Sequence, residues 1–332
     1  MKGGRIKNMG EPNYRLNPKI VSSIQKIFLI KVTKFLFAIL MLLYPDKELK
    51  RGTKPYDYRV IVTLCILRIL LRKTYADYEI ETRTDPRICK ILGLHILPGK
   101  STIQRGMELL SMKLLYKINI TMLAEVMKTQ RDMIVDSSGI RIIGSSIWYC
   151  LRINKVIRKR DCDKTHLVVS SQFMFIMNWK ITAYRRNDCP FFKMLLKPFK
   201  ILGIISADKG YLSRENFQLV ADKGGKAFIP FKKGKKKGST PKPKNCPAWK
   251  EAFYFWKTMN WIYMLIYHRR SRIEAVFSAL KRRYGDKLYC RSAIMRRKEM
   301  ALRFIAYNLR ILIYYQYAKK NKLNLWVRVD KD

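Results

Sequence analysis

Two short apolar runs, each ending at an aspartate that precedes a glycine, limit the possible folds of this chain more than any other feature. The first run covers residues 133–135 and stops at Asp136, after which residues 137–139 are predicted to turn the chain. The second covers residues 201–207 and stops at Asp208. Short apolar runs that end at turn residues are typical of buried strands. We therefore expect two strands whose carboxyl ends each carry an acid.

Further strand-like segments lie around these two runs. Residues 147–153, 167–177 and 227–230 are rich in β-branched and aromatic residues, whereas residues 212–221 have a helical pattern. Three strands followed by alternating helices and strands predict an α/β domain with a mixed sheet.

Residues 21–128 instead have helical patterns. Residues 21–43 and 56–73 are dense in apolar residues, and Ser101 with Gln104 three positions later is typical of a helix start. Short helices joined by tight turns in a basic region are compatible with a helix-turn-helix module, so residues 21–128 are a possible DNA-binding region. A helical bundle without any groove contact is equally compatible.

The charge of the chain indicates its partner. The 332 residues include 69 Lys and Arg but only 24 Asp and Glu, which gives a formal charge of +45. Nucleic acid is the expected partner of such a protein, and an anionic membrane surface is the second choice. The longest apolar run, residues 35–44, is much shorter than the ~20 residues that a membrane span needs. The Lys-rich loop at 232–250 is either laid on a polyanion or a solvated linker.

The cysteines and histidines exclude other classes. The seven cysteines are scattered without a C-x-x-C pair, which fits a reducing compartment better than a disulfide scaffold or a zinc finger. Only three histidines are present, so a His-rich metal centre is excluded. We expect His166 to be a packing or backbone-contact residue and His268 to be structural or phosphate-facing.

The two strand-end aspartates are the first candidates for chemistry. Ligands of open α/β sheets bind at the carboxyl ends of strands, where Asp136 and Asp208 are expected. Two carboxylates placed there repel each other unless a hard cation such as Mg²⁺ neutralises them. The alternative is that each aspartate is an ordinary turn or cap residue.

A third acid lies within a basic helical segment. Tyr267, Arg270, Glu274 and Lys281 are spaced so that they share one face of a continuous helix. An adjoining apolar stripe can pack on a sheet; it consists of Ile273, Val276, Phe277, Leu280 and Tyr284. On geometry alone, an ordinary amphipathic helix with i,i+4 charge pairs explains this pattern equally well.

These motifs together resemble the insertion-sequence DDE transposases. The spacing Tyr267-x2-Arg270-x3-Glu274-x6-Lys281 matches the family's Y-(2)-R-(3)-E-(6)-K motif at every position. The D-S-S-G run that starts at Asp136 resembles the first-aspartate motif, D-S-T-G, with serine in place of threonine. The run A-D-K-G-Y around Asp208 resembles the second. Weaker likenesses lie at residues 164–166 and 187–188, and the resemblance extends from about residue 56 to about residue 314.

The resemblance implies a fold and a reaction. The fold is an RNase H-like mixed five-stranded sheet flanked by helices, with Asp136 at the end of the first strand. The family's activity is cleavage of double-stranded DNA at transposon ends, followed by strand transfer into target DNA. Asp136, Asp208 and Glu274 are the implied catalytic residues and hold two Mg²⁺ ions, for which Mn²⁺ substitutes.

Further expectations concern DNA contacts and assembly. The implied DNA-binding residues are Tyr267, Arg270, Lys281 and Lys209, and Tyr267 can stack on a base or contact the backbone. A homodimer on paired ends, no membrane and the nucleoid of a prokaryotic cytoplasm are also implied.

The domain organisation and the rival functions complete these predictions. We expect a basic flexible tail at 1–20, the helical region at 21–128, the catalytic domain at 129–314 and a second basic tail at 315–332.

Two rival functions are compatible with the sequence. One rival is a nuclease with the same core that transfers no strand. The other is an inactive or domesticated copy that only binds DNA.

Overall fold

A computed structural model describes residues 13–44, 56–142, 162–232 and 245–329. Its amino-terminal part contains strand β1 (Asn13–Leu16) and helices α1 (Pro18–Gln25), α2 (Phe28–Leu43), α3 (Tyr58–Leu71), α4 (Tyr75–Thr82), α5 (Pro86–Leu92), α6 (Lys100–Leu109), α7 (Met112–Met122) and α8 (Ala124–Thr129).

Strands and helices alternate in the remainder of the described chain. The elements are β2 (Met133–Ile142), β3 (Cys162–Ser170), β4 (Ile176–Ala183), α9 (Phe191–Leu196), β5 (Ile204–Ala207), α10 (Arg214–Ala221), β6 (Lys226–Phe228), α11 (Pro247–Thr258), α12 (Asn260–His268), α13 (Arg272–Tyr284), β7 (Lys287–Leu288), α14 (Ala293–Lys320) and β8 (Trp326–Val329). Two 3₁₀ turns, Lys209–Tyr211 and Arg269–Ser271, lie between these elements.

The main sheet confirms the predicted α/β class and mixed strand directions. Its order is β4-β3-β2-β5-β6, with antiparallel pairing of β2, β3 and β4 and parallel pairing of β2, β5 and β6. The short strand β7 pairs in parallel with the far end of β2, so within the described residues the sheet has six strands where five were expected.

Strand β2 is longer than predicted. It continues through Asp136 to Ile142, so the expected turn at residues 137–139 is wrong and Asp136 lies inside the strand. The reason is β3, which pairs with β2 from Met133 to Arg141 and keeps the chain extended.

Two other strand predictions need comment. The segment 167–177 is not one strand but the end of β3, a turn and the start of β4. The turn includes Met174, whose positive φ of 61° reverses the chain. The predicted strand at 147–153 lies outside the described residues.

The long helix α14 joins the helical and the sheet-containing parts. Most of its residues from Lys298 to Tyr314 are buried, and it packs against α2, α3, α7 and β4. Within this contact the Asn308 side chain accepts a hydrogen bond from Ile176 N–H at 2.9 Å and donates one to Asn119 Oδ1 at 2.8 Å. The helical region therefore shares its core with the sheet, and the predicted boundary near residue 128 stays a prediction.

Several local predictions are corrected. Gly99, not Ser101, caps helix α6, because the helix begins at Lys100. Strand β1 pairs antiparallel with β8, so residues 13–16 and 326–329, which were assigned to tails, lie in regular structure. Helix α11 begins inside the predicted loop at 232–250, of which residues 233–244 lie outside the described chain.

Helices α4, α5 and α6 are short and consecutive, as a helix-turn-helix module requires, but its contact with DNA stays a prediction. In the described ranges, no helix combines the length and the apolar character that crossing a bilayer demands.

Candidate active site

The two strand-end aspartates lie side by side on neighbouring parallel strands. Val135 of β2 is paired with Ala207 of β5, and Asp136 and Asp208 are the residues that follow. Adjacent strands are about 4.8 Å apart, so the two backbones carry their acids at the same level of the sheet. The Asp208 side chain makes no capping hydrogen bond to the 3₁₀ turn that follows it.

A gap in the sheet lies next to these aspartates. On one side, β2 pairs with β5 up to Val135 and with β7 from Arg141 onward. Between these two contacts, residues 136–140 of β2 have no strand partner on that side within the described part of the chain. Helix α13 and the 3₁₀ turn that precedes it pack against β2 there, and they bring the third acid to the gap.

Arg270 connects the first and third acids. Its Nη1 donates to Asp136 Oδ2 at 2.5 Å, and its Nη2 lies 3.3 Å from Glu274 Oε1. The guanidinium carbon lies 5.8 Å from the centre of the Tyr267 ring, which is only 8% exposed. The buried Tyr267 ring therefore packs beside the Arg270 guanidinium and is shielded from solvent.

The predicted continuous helix from Tyr267 to Lys281 is interrupted. Tyr267 ends α12, Arg270 lies in the 3₁₀ turn, and Glu274 lies in the first turn of α13. The tighter turn rotates Arg270 so that it reaches both acids. The apolar stripe of α13 is buried as predicted.

Two lysines border the acids. Lys281 Nζ donates to Ser138 Oγ at 3.0 Å, which fixes the lysine over strand β2. Lys209 follows Asp208 directly and is exposed on the 3₁₀ turn. The role of both lysines in DNA binding stays a prediction.

Burial and like charge dominate the electrostatics of Asp136. Burial raises its pKa, and the negative charges of Asp208 and Glu274 raise it further. The Arg270 guanidinium and the Ser137 N–H, which lies 2.8 Å from Asp136 Oδ1, oppose this shift. The three acids are therefore near enough to repel one another, and Arg270 is the counter-charge.

These residues fit a divalent metal ion in their donor chemistry. Carboxylate oxygens are the ligands that Mg²⁺ prefers, and acids that repel each other favour a cation between them. In the described residues, however, no three Asp, Glu, His or Cys side chains are gathered closely enough to hold a metal. Asp136 and Asp208 come together as predicted, whereas Glu274, whose side chain is 63% exposed, joins them only through Arg270.

Asp188 is a further acid beside the site, whose importance the sequence indicated only weakly. Its Oδ1 lies 2.7 Å from Lys164 Nζ and 3.3 Å from Nδ1 of the fully buried His166. A Cβ atom at Gly210 would lie 3.3 Å from Asp188 Oδ2, so glycine permits the close approach of the segment after Asp208. The weak likenesses at residues 164–166 and 187–188 were the only sequence signal for this cluster.

Asp188 also contacts the segment that carries the other aspartate. Burial alone would raise the Asp188 pKa, but the neighbouring polar groups of His166, Lys164 and Ser137 outweigh it and lower the pKa to about 2. Because Ser137 follows Asp136, Asp188 lies between the two chain segments that bear the paired aspartates.

His166 has the packing role expected of it, whereas the role of His268 stays a prediction. His166 is fully buried and its Nε2 lies 3.0 Å from Thr182 Oγ1, as a packing residue requires. His268 is exposed at the end of α12.

We expect Asp188→Asn to lower the stability of the protein near neutral pH and to have little effect in acid. A depressed folded-state pKa stabilises the protein above the unfolded value of 3.8, and this contribution is lost as the pH falls towards 2. Thermal melts of the wild type and the variant between pH 6 and pH 2.5 test this. The control is Asp222→Asn, because Asp222 is exposed on the surface. A melting-temperature difference that stays constant over this pH range would contradict the expectation.

Comparison with known proteins gives one match. The model of the transposase DDE domain family matches residues 128–309, which is more than half of the chain and covers β2 through most of α14. No curated protein and no solved structure matches the chain. The matched segment contains all three candidate acids, whereas helices α1 to α7 lie outside it.

Proposed function

Because this chain belongs to the transposase DDE domain family, we propose that it cleaves DNA at the ends of a mobile element and joins those ends to a target. The observation that carries the proposal is the register of β2 and β5, which brings Asp136 and Asp208 to neighbouring positions. The strand order β4-β3-β2-β5-β6, with its antiparallel and parallel halves, supports an RNase H-like core.

The acids supply the metal-binding groups in this proposal. Transposases of this family generally use divalent metals. Asp136, Asp208 and Glu274 would hold Mg²⁺, with Mn²⁺ as a substitute. The chemistry that two such ions supply, when bound, is activation of the attacking water or 3′-hydroxyl and stabilisation of the leaving oxygen. Displacement at phosphorus depends mainly on positioning and charge neutralisation, so no protein nucleophile is needed.

The basic residues around the acids position the DNA. Arg270 offers a planar pair of N–H donors that matches two phosphate oxygens, and Tyr267 holds its guanidinium at the gap in the sheet. Lys281 and Lys209 contribute point charges on either side of the acids. We assign Tyr267 to support of Arg270 rather than to base stacking, because its ring is buried.

A strand-transfer assay tests the proposal. The DNA is a labelled duplex that carries the inverted repeats flanking the coding region, and the target is a supercoiled plasmid, with Mg²⁺ present. We expect labelled ends to become joined to the plasmid. Nicking or end cleavage without joined product would favour the nuclease that transfers no strand.

A binding-only protein is the second candidate, and one observation favours it. Arg270 pairs with both Asp136 and Glu274 in the absence of a metal, so a protein cation already occupies the place between these two acids. If the protein shifts DNA fragments but neither Mg²⁺ nor Mn²⁺ supports nicking, this candidate replaces the transposase.

We expect DNA binding to weaken steeply as salt is added, because the charge of +45 makes phosphate contacts the main source of affinity. Each contact adds about 0.9 to the slope of log affinity against log salt concentration. Lys281→Ala is expected to remove one phosphate contact and so to lower that slope by about 0.9. The control Lys226→Ala should leave the slope unchanged, because Lys226 is paired with Glu251. Fluorescence anisotropy over a salt series measures both. A flat dependence would assign the positive charge to another partner.

A further inference from the structure

A cavity separate from the three acids lies at the opposite end of α13. Its volume is about 460 Å³, within the range of about 300–1,000 Å³ that is usual for ligand sites. Residues from the end of α3 to the start of α4 form one wall. The other wall consists of Tyr284 at the end of α13, the segment around β7 and two residues of α14.

The α14 residues of this cavity are already paired. Arg303 Nη2 donates to Glu299 Oε1 at 2.6 Å, and Glu299 Oε2 accepts the backbone N–H groups of Tyr289 and Cys290, both at 3.0 Å. Arg303 also donates to the carbonyl oxygens of Gly285 and Lys287. These contacts hold the wall in place and leave no net charge on it.

The α3 side supplies uncompensated positive charge. Lys73 is paired with Glu81 at 2.5 Å, but the exposed Arg72 has no acidic partner among the described residues. The Nε atom of Arg68 is buried and has no hydrogen-bond partner in the same part of the chain. Because this Nε atom has almost no accessible surface, the exposed Arg72 is the residue of this wall that offers a cation to a ligand.

Aromatic rings line the same space. The Arg68 guanidinium lies 3.9 Å from the centre of the Tyr75 ring, and Tyr284 and Tyr289 complete the lining. Tyr289 is 68% exposed, and the Arg303 guanidinium lies 6.0 Å from the centre of its ring. Tyrosine rings next to arginines provide stacking for a base and hydrogen bonds for a phosphate.

We propose that this cavity binds one unpaired nucleotide, with its base on Tyr289 and its phosphate at Arg72. The inference rests on the proposed function for the source of that nucleotide, which is the DNA strand held at the acids. Glu274 and Tyr284 are ten residues apart on α13, or about 15 Å. At a rise of about 3.4 Å per nucleotide, a strand at Glu274 reaches the cavity after about four nucleotides.

The experiment uses the full chain and two duplexes, one fully paired and one with a single bulged 2-aminopurine, in EDTA so that no cleavage occurs. Stacking on a tyrosine quenches the fluorescent base. We expect the bulged duplex to bind more tightly, and Tyr289→Ala and Arg72→Ala to reduce its affinity about tenfold while the paired duplex binds almost as before. The matched controls are Tyr254→Ala and Arg214→Ala, because both residues are exposed and lie outside the cavity.

Competition distinguishes the sources of the ligand. If free dAMP displaces the bulged base, the cavity accepts a mononucleotide. If dAMP does not displace it but the protein still prefers the bulged duplex and Tyr289→Ala removes that preference, the nucleotide must belong to a strand. Both results support the proposal. The proposal is overturned if the cavity variants and the control variants lose the same affinity for the bulged duplex, or if the wild type shows no preference for that duplex. It is also overturned if inorganic phosphate competes as strongly as dAMP. The preference for the bulged duplex is measured in EDTA and does not require cleavage. The transposase proposal fails in a separate experiment, if Asp136→Asn leaves DNA cleavage unchanged.

Discussion

Asp136→Asn and Asp208→Asn are each expected to reduce metal-dependent DNA cleavage by about a thousandfold or more. Each substitution removes one negative charge from the pair that β2 and β5 place side by side, and with it a ligand for the metal. Losses of this size are usual when a group that stabilises transition-state charge is removed. Glu274→Gln is expected to have the same effect. Cleavage of labelled end DNA in Mg²⁺ measures all three.

DNA binding is the informative second measurement for these variants. The acids repel phosphates in the absence of metal, so affinity should stay within a few-fold of the wild type. Matched controls are Asp222→Asn and Glu251→Gln; Glu251 is 66% exposed, close to the 63% of Glu274. A variant that keeps its cleavage activity, or that loses affinity as much as activity, would remove its acid from the proposed site.

The sequence predicted the acids of this site better than it predicted their surroundings. Apolar runs before Asp136 and Asp208 correctly indicated buried strands, because burial of a strand is recorded in its own residues. The extent of β2 could not be read in this way. Asp136 lies inside the strand because β3 pairs alongside it, and pairing with a distant segment leaves little trace in the strand's own residues.

The same reasoning explains why Arg270 and Asp188 were missed in their structural roles. The spacing of Tyr267, Arg270 and Glu274 is compatible with a continuous helix, and only packing against β2 and β5 reveals the 3₁₀ turn that aims Arg270 at Asp136. Asp188 depends on Lys164, more than twenty residues earlier in the chain. Contacts between distant segments are set by the fold, and a single sequence gives no direct sign of them.

The two ends of the chain show a similar limit. The basic segments 1–20 and 315–332 were predicted to be tails, yet residues 13–16 and 326–329 within them pair as β1 and β8. Backbone hydrogen bonds hold these strands together, and such bonds are available to almost any residue type. Composition therefore predicted the charge of the ends correctly but not their order.

Arg270→Ala is expected to destabilise the metal-free protein by about 2 kcal/mol, because it leaves the largely buried Asp136 carboxylate without its counter-charge beside two other acids. Burial and the neighbouring acids already raise the Asp136 pKa, and loss of Arg270 raises it further. A raised pKa in the folded state means that the stability of the fold increases as protons bind. The difference in melting temperature between wild type and variant should therefore be largest near pH 7 and decrease as the pH falls through the Asp136 pKa towards 4.

Magnesium is expected to raise the melting temperature of the same variant. If Asp136, Asp208 and Glu274 hold a metal, Mg²⁺ in Arg270→Ala no longer competes with a guanidinium, so it should raise the melting temperature of the variant more than that of the wild type. Cleavage should nevertheless fall, because Arg270 also binds the phosphate in the proposed mechanism. Arg269→Ala is the matched control, since Arg269 is an exposed neighbour in the same 3₁₀ turn. A variant that Mg²⁺ stabilises no more than it stabilises the wild type would indicate that Arg270 is a permanent part of the fold and that the acids do not form a metal site.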